Sequence, residues 1–295
     1  MNQLTKQEKN NYKKNCIAHY NRTVERYIQT YQDDYTGYPG NKKRYEIIES
    51  LIQKHSPEKI LYIGCGACIP MVKIMKKFNC IIHGIDFSQN MIDKGKQTLK
   101  DHGFSTELIL KGDVEDFISL PDDIYDFVIA AGVFTHLPDD NTALKNIHFK
   151  LKNAGILAVE FRNELFSLFS FNKYSYDFIV NKLICFDELS DDIKDEVELF
   201  FKQRFKISNE VQISNESTFY SNGIIKKFHN PLTIHFNLKQ NGFSFMNNYF
   251  YHYHALPTYF SNFDNYNNIS SHLENPNDWK GHFLASAFVC ETKKF

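Results

Sequence analysis

A chain of 295 residues can hold one large α/β domain with insertions or two small domains, and it is long enough to bury a substantial core. The formal net charge of −1, without a long block of like charge, argues against a polyanionic partner such as a nucleic acid. No apolar run approaches the roughly 20 residues that span a bilayer, no signal-peptide core opens the chain, and the 6 cysteines are typical of reduced thiols. We therefore expect a cytoplasmic protein without a nucleic-acid or membrane partner.

The predicted elements alternate between helices and strands as far as Phe161. A polar helix is predicted over residues 7–32, followed by a loop over 31–41 and a second helix over 42–55. Five short apolar runs then alternate with helical patterns, which indicates parallel βαβ units in one sheet. These predicted strands are Ile60–Ile63, Cys80–Ile85, Thr106–Leu110, Phe127–Ala131 and Ile156–Phe161.

The alternation breaks after Phe161. The next part of the chain is predicted to hold two helices and a polar stretch, at 176–184, 188–205 and 208–222. Beyond it the pattern predicts a helix, a strand, a loop and a final strand, at 232–240, 243–251, 257–280 and 283–291. Long connections in compact domains are usually lids or binding loops. We expect an N-terminal helical arm over 1–58 and one domain over 59–295, whose insertions 162–230 and 255–281 lie on the substrate side.

A glycine-rich turn follows the first predicted strand. The segment Lys59–Cys68 is predicted to be a strand that runs into a Gly-x-Gly turn formed by Gly64, Cys65 and Gly66. Asp86 follows Gly66 by 20 residues, at the end of the second apolar run. Glycines let a backbone turn approach a ligand closely, and a carboxylate at this distance binds the two hydroxyls of a ribose. The pattern therefore predicts a nucleotide-binding βαβ unit.

Three further motifs accompany the predicted second, third and fourth strands, at 84–91, 111–117 and 125–138. In this order and spacing the set resembles the class I S-adenosylmethionine (SAM)-dependent methyltransferases, over roughly Ile60–Arg162 and the last two strands. The resemblance implies an α/β fold with a Rossmann-like, seven-stranded, mostly parallel sheet, an antiparallel last strand and helices on both faces. It also implies SAM as the cofactor.

The same resemblance implies a cofactor site. The backbone of the glycine turn would face the methionine part of SAM, Asp86 would bind the ribose hydroxyls, and Asp113 would bind the exocyclic amine of adenine. Phe87 and Met91 would lie against the adenine, and the residues after the fourth strand would border the sulfonium. The full set is Gly64, Cys65, Gly66, Asp86, Phe87, Met91, Gly112, Asp113, Val114, Ala131 and Gly132.

Two positions depart from that family, and they leave other classes open. The family usually has an acidic residue where this chain has Tyr62, and a third glycine where it has Cys68. Cys65 and Cys68 also form a Cys-x-x-Cys pair that would suit a redox site, whereas zinc would need a second ligand pair of matching spacing. A dinucleotide oxidoreductase would have glycine at the position of Ile69. We expect no metal, since no acidic cluster demands one.

Candidate acceptor residues come just after the strands, because ligands of parallel sheets bind beyond the carboxyl ends of the strands. A positioned histidine can remove the proton of an acceptor hydroxyl near neutral pH, and His136, His252 and His254 are the candidates. We expect only one of His252 and His254 to lie on the pocket side. Arg162 would bind a phosphate or carboxylate of the acceptor, or else form a salt bridge at the strand end.

Three segments, 161–172, 253–257 and 278–283, are similar to a subgroup of these methyltransferases associated with bacterial surface-polysaccharide (capsule or O-antigen) gene clusters. This similarity implies O-methylation of a small polar acceptor, such as a nucleotide sugar or a phosphorylated polysaccharide precursor. Two alternatives stay open. One is an RNA or protein methyltransferase, and the other is a catalytically inactive binding subunit that keeps the fold.

Overall fold

The computed structural model of the protein describes residues 5–32, 39–116, 120–184, 186–205, 218–221 and 224–295. The strands in these ranges are β1 (Lys59–Ile63), β2 (Ile81–Asp86), β3 (Ile109–Lys111), β4 (Tyr125–Ala130), β5 (Leu151–Arg162), β6 (Thr218–Ser221), β7 (Ile224–Lys227), β8 (Phe243–Tyr253) and β9 (Ala285–Lys294). The helices are α1 (Lys6–Gln32), α2 (Pro39–His55), α3 (Ile69–Lys77), α4 (Gln89–Asp101), α5 (Asp140–Lys150), α6 (Ser167–Ser170), α7 (Lys173–Phe178), α8 (Asp191–Phe205), α9 (Ile234–Gln240), α10 (Tyr266–His272) and α11 (Gly281–Leu284).

Seven strands form the central sheet in the order β3-β2-β1-β4-β5-β9-β8. The first five strands run parallel to one another, whereas β9 runs antiparallel between β5 and β8. This order confirms the predicted α/β, Rossmann-like, mostly parallel sheet. The predicted helical insertion follows β5, and the predicted long connection joins β8 to β9. The strands β6 and β7 form a separate hairpin within the insertion.

The two faces of the sheet are buried in two different cores because side chains alternate along each strand. Leu61, Val128 and Leu157 lie side by side on β1, β4 and β5 and face a core that includes residues of α5 and α9. Their chain neighbours on β1 and β4, Ile60 and Phe127, face a second core that includes residues of α2, α3 and α4. Strands covered on both faces explain why the apolar runs are nearly continuous.

Several element boundaries differ from those predicted. Helix α2 begins at Pro39 and not at residue 42, which is reasonable because the first turn of a helix leaves its N–H groups unpaired and proline has none. Residues 106–108 form a 3₁₀ turn in which the Ser105 hydroxyl accepts a hydrogen bond from the N–H of Glu107 at 3.2 Å. Strand β3 therefore begins only at Ile109.

The end of the chain also differs in detail. Residues 281–284 form α11, and the Asn163 side-chain amide donates to the carbonyl oxygens of Gly281, His282 and Ala285, at 3.2, 2.9 and 2.7 Å. Strand β9 therefore starts at Ala285 and not at residue 283. The predicted 257–280 loop contains α10. Most of the predicted polar stretch 208–222 lies outside the described residues.

Helix α1 contacts α3, α4 and β7, and several of its side chains lie over the carboxyl ends of the parallel strands. Helix α2 instead buries Ile47, Ile48 and Leu51 against the sheet. The division of the chain at residue 58 stays a prediction. None of the helices in the described ranges is both long and apolar enough to cross a membrane.

Candidate functional site

A cavity of about 240 Å³, here called the first cavity, opens at the carboxyl ends of β1 to β5. Cys65 does not line it, because its side chain points behind the glycine turn and would contact a side chain at Gly84. The other residues predicted to bind the cofactor all line the first cavity: Gly64, Gly66, Asp86, Phe87, Met91, Gly112, Asp113, Val114, Ala131 and Gly132. The structure therefore brings the motif residues together around one space, and their roles stay predictions.

The glycine turn is shaped so that only glycine fits without strain. Gly64 and Gly66 have φ values of +68° and +53°, in the left-handed region. A Cβ on Gly64 would lie 2.5 Å from the Val133 side chain. The Gly64 N–H donates to the Ile85 carbonyl at 2.8 Å, and the Gly66 N–H donates to the Asp86 carboxylate at 3.0 Å. The turn thus lets a ligand approach the backbone closely, while these two N–H groups are already used within the protein.

The cysteine pair of this turn does not have the features of a redox site. Cys65 and Cys68 are both buried and are not joined in a disulfide. A hydrogen bond to Cys68, together with burial, raises the pKa of the Cys65 thiol well above its usual value. Reactive thiols need a lowered pKa and access to solvent, so this pair is a packing feature of the turn.

Asp86 ends β2 and is only 7% exposed, with its carboxylate in the wall of the first cavity. Its Oδ2 accepts the N–H of Gly66 at 3.0 Å and its Oδ1 accepts the N–H of Ser88 at 2.9 Å. Burial raises the pKa of Asp86 to about 6, although these two N–H donors favour the charged form. The residue is thus a rigid hydrogen-bond acceptor, which suits a pair of sugar hydroxyls.

Helix α1 closes the first cavity opposite the motif residues. Lys13 lies 2.7 Å from Asp113 Oδ2 and 3.3 Å from Glu115 Oε2. Tyr20 packs edge-on against Phe87, with 6.1 Å between ring centroids. Sequence reasoning missed these residues, although their spacing on one helical face is a signal: Lys13, Cys16, Tyr20 and Tyr27 all line the cavity.

A buried ion pair forms the part of the wall next to Gly132. Arg44 Nη1 on α2 lies 2.7 Å from Glu160 Oε2 on β5, and the two side chains are 14% and 5% exposed. Arg44 Nη2 also donates to the Tyr31 hydroxyl at 2.8 Å. Although burial acts to raise it, the Arg44 and Arg162 guanidiniums hold the pKa of Glu160 below its usual range. Glu160 is therefore ionised near neutral pH, and no motif pointed to it.

A second cavity of about 270 Å³ shares Thr135, His136 and Arg162 with the first. Two of the predicted acceptor residues, His136 and Arg162, therefore lie where the two cavities meet. The insertion after β5 closes this region, since the Thr135 hydroxyl donates to the Lys227 carbonyl on β7 at 3.2 Å. Among the residues that the structure describes, no group of three or more His, Cys, Asp or Glu side chains could hold a metal ion.

The other two candidate bases both lie in a separate small cleft, with 4.6 Å between their ring centroids. The expectation that only one of them would face a pocket was wrong, because residues two apart on a strand point to the same side. His252 Nδ1 is 2.6 Å from the Ser286 hydroxyl, and His254 Nδ1 is 2.8 Å from the Tyr266 hydroxyl. Burial, the neighbouring His254 and Arg162 lower the pKa of His252 to about 3. Burial and Arg162 lower the pKa of His254 to about 4. Both histidines are neutral at pH 7 and are weak bases, and neither lines the first or the second cavity.

Comparison with known proteins agrees with this geometry. Residues 61–159 match the family model described as "Methyltransferase domain". The chain is 34% identical over 100 residues to the demethylmenaquinone methyltransferase of Bacillus subtilis (strain 168), which covers 33% of this chain and 42% of that protein. It is 25% identical over 103 residues to methyltransferase GfsG of Streptomyces halstedii, which covers 34% of this chain and 36% of that protein. The aligned region is less than half of each relative.

Solved structures extend the likeness to most of the chain. A SAM-dependent methyltransferase from Methanosarcina mazei superposes with a TM-score of 0.51 at 15% identity, over 83% of this chain and 97% of that one. One from Thermotoga maritima superposes with a TM-score of 0.50 at 16% identity, over 94% and 98%. The chain therefore has the class I fold of SAM-dependent methyltransferases.

Proposed function

We propose that the protein binds SAM in the first cavity and transfers its methyl group to a small acceptor. The observation that carries this proposal is the placement of Asp86 and the glycine turn on one wall of that cavity. Asp86 would hold the ribose, Phe87 and Met91 would contact the adenine, and Gly132 would lie beside the sulfonium. SAM, when bound, would supply an activated methyl group: a nucleophilic atom bonds to the methyl carbon as the bond to sulfur breaks, and S-adenosylhomocysteine leaves.

The acceptor would enter the second cavity, because that cavity meets the first at Thr135, His136 and Arg162. We propose that the methylated atom is a hydroxyl oxygen and that His136 removes its proton. His136 is the only one of the three candidate histidines that lines both cavities in the described part of the chain. A positioned base contributes about 10²- to 10⁴-fold to the rate.

The charges around the second cavity support an anionic acceptor. Arg162 and Lys226 line this cavity. Burial and the nearby charges of Arg162 and Lys173 lower the pKa of Lys226. Cations that lower one another's pKa favour a bound phosphate or carboxylate, which would relieve their repulsion. These cations support an anionic acceptor, and we propose a nucleotide sugar or a phosphorylated precursor of a bacterial surface polysaccharide, methylated in the cytoplasm.

A second candidate acceptor is an aromatic quinone ring. The second cavity has the aromatic walls Phe166, Tyr174 and Phe228, which suit a flat ring. Several relatives that align with a quarter to a third of this chain are demethylmenaquinone methyltransferases. We place this candidate second, because an uncharged quinone ring would leave the cationic residues Arg162 and Lys226 of the second cavity without a role.

Calorimetric titration with S-adenosylhomocysteine (SAH), with NADH as a control, tests cofactor binding first. We expect micromolar binding of SAH alone, and the Asp86→Asn variant should bind it at least tenfold more weakly. If the wild-type protein bound no SAH, the hypothesis of a catalytically inactive binding subunit would replace this proposal.

Transfer of labelled methyl from SAM then identifies the acceptor class. The panel contains a nucleotide sugar, the same sugar without phosphate, demethylmenaquinone and bulk tRNA. We expect transfer to the nucleotide sugar, with a KM at least tenfold higher in Lys226→Met and unchanged in Lys239→Met, an exposed control lysine on α9. Transfer to demethylmenaquinone would support the second candidate, and transfer to tRNA would indicate an RNA methyltransferase.

A further inference from the structure

The first cavity has proposed sites for a ribose and an adenine, but the acidic residue that usually binds the amino-acid end of the cofactor is absent. Position 62, where an acidic side chain would be expected, is Tyr62. The amino-acid end of the cofactor is zwitterionic. Its ammonium needs an anionic hydrogen-bond acceptor, and its carboxylate needs a cationic hydrogen-bond donor. The described residues near the glycine turn must supply both in another way.

The turn itself is poorly suited to hold the carboxylate. The N–H groups of Gly64 and Cys65 both donate to the Ile85 carbonyl, at 2.8 and 3.1 Å. The N–H of Gly66 donates to Asp86. With all three N–H groups used within the protein, a carboxylate over this turn requires a cationic side chain nearby.

Arg44 and Glu160 provide a cation and an anion in the right place. Both line the first cavity, and a Cβ on Gly132 would lie 3.5 Å from Arg44 Nη1 and 3.9 Å from Glu160 Oε2. The pair therefore borders the same backbone segment that would flank the sulfonium. Glu160 also lies on the same side of the sheet as Tyr62. Tyr62 pairs with Ile129, and Ile129 pairs with Ala158, so these three side chains share one face. Glu160 follows Ala158 by two residues on β5 and therefore points to that face as well.

The other charged residues of the first cavity are committed elsewhere. Lys13 lies against Asp113 and Glu115 at the predicted adenine end. Arg162 lies at the junction with the second cavity, although its charge also acts on Glu160. In the part of the chain that the structure describes, Arg44 and Glu160 are thus the oppositely charged pair closest to Gly132.

We propose that Glu160 accepts hydrogen bonds from the ammonium of the methionine end of SAM, while Arg44 donates to its carboxylate. This inference rests on the proposed function, and it makes Glu160 the replacement for the acidic residue missing at position 62. The two side chains are paired with each other before binding, so neither charge is buried alone in the free protein.

The test compares SAH with 5′-methylthioadenosine, which keeps the adenosine and the thioether but lacks the amino-acid end. Calorimetry measures both ligands with the wild type, Glu160→Gln, Arg44→Met and the double variant Arg44→Met/Glu160→Gln. We expect each single variant to bind SAH about 10- to 100-fold more weakly, since each loses hydrogen bonds to a charged group. Binding of methylthioadenosine should stay within threefold of the wild type.

The double variant guards against loss of folding, because it leaves no unpaired buried charge. It should bind SAH and methylthioadenosine with nearly equal affinity. If the variants kept the wild-type preference for SAH, or weakened both ligands equally, the ion pair would be structural and the inference would be wrong. If the wild type bound neither ligand, the proposed function itself would fail, and that result is distinct from both of these.

Discussion

The raised pKa of Asp86 predicts that cofactor affinity depends on pH in a specific direction. Burial raises this pKa to about 6 in the free protein. Only the ionised carboxylate can accept both ribose hydroxyls while it also accepts the N–H groups of Gly66 and Ser88. A ligand that binds the ionised form shifts the equilibrium toward it, so the affinity for SAH should rise as the pH increases from 5 to 7.

The magnitude follows from the fraction of protein that is competent to bind. With a pKa of about 6, roughly one molecule in ten has an ionised Asp86 at pH 5, and roughly nine in ten have it at pH 7. The apparent affinity scales with that fraction, so it should fall about tenfold, or about 1.4 kcal/mol, between pH 7 and pH 5. Above pH 7 the affinity should be nearly constant.

Calorimetric titration of SAH at several pH values between 5 and 8 measures this dependence. Asp86→Asn should bind more weakly at pH 7, and its affinity should not change with pH, because the amide does not titrate. Asp113→Asn and His136→Gln are matched controls from the same cavity, and both should keep the tenfold pH effect. A wild-type affinity independent of pH, or a pH effect that survives in Asp86→Asn, would refute the assignment of Asp86 to the ribose.

Three further predictions concern the base, the glycine turn and a buried carboxylate. His136→Gln should lower the rate of methyl transfer by about 10²- to 10⁴-fold at unchanged SAH affinity, whereas His252→Gln should stay within a few-fold of the wild-type rate. A rate of His136→Gln within about threefold of the wild type would exclude His136 as the base. Gly64→Ala should lower the free energy of unfolding in urea by about 1–3 kcal/mol more than Gly103→Ala does. Both glycines have positive φ, but only a Cβ on Gly64 would clash with another side chain, and equal losses would contradict this. Although burial acts to raise it, the lysine, histidine and tyrosine partners of Glu291 hold its pKa below the usual range, so Glu291 stabilises the protein above about pH 4 and loses this effect as the pH falls. Glu291→Gln should therefore lower the free energy of unfolding by about 1–3 kcal/mol at pH 7 and by less at pH 3, and a loss independent of pH would disprove the mechanism.

The sheet could be predicted because the signals for it are local and repeated. Each parallel strand is an apolar run followed by a turn, and the glycine turn and Asp86 both lie just past a strand end. The family resemblance then supplies the order in which these strands pair. The errors fall where a single tertiary contact decides the structure, as at Asn163, whose side chain caps the turn of α11 and shortens β9.

The part of the candidate site around Arg44 and Glu160 could not be predicted from local sequence patterns, for a physical reason. Arg44 and Glu160 form a hydrogen bond although they are 116 residues apart in the sequence. No local spacing predicts a contact between a helix that precedes the sheet and a strand within the sheet. The motif residues of the nucleotide end all lie within 61–159, the segment that matches the methyltransferase family model. Arg44, Glu160, Arg162 and Lys226 all lie outside it. Similarity over that segment therefore bears on how a nucleotide is held, whereas Arg162 and Lys226, proposed to bind the acceptor, lie beyond it. Variants of these two residues are therefore the ones that test the proposed acceptor.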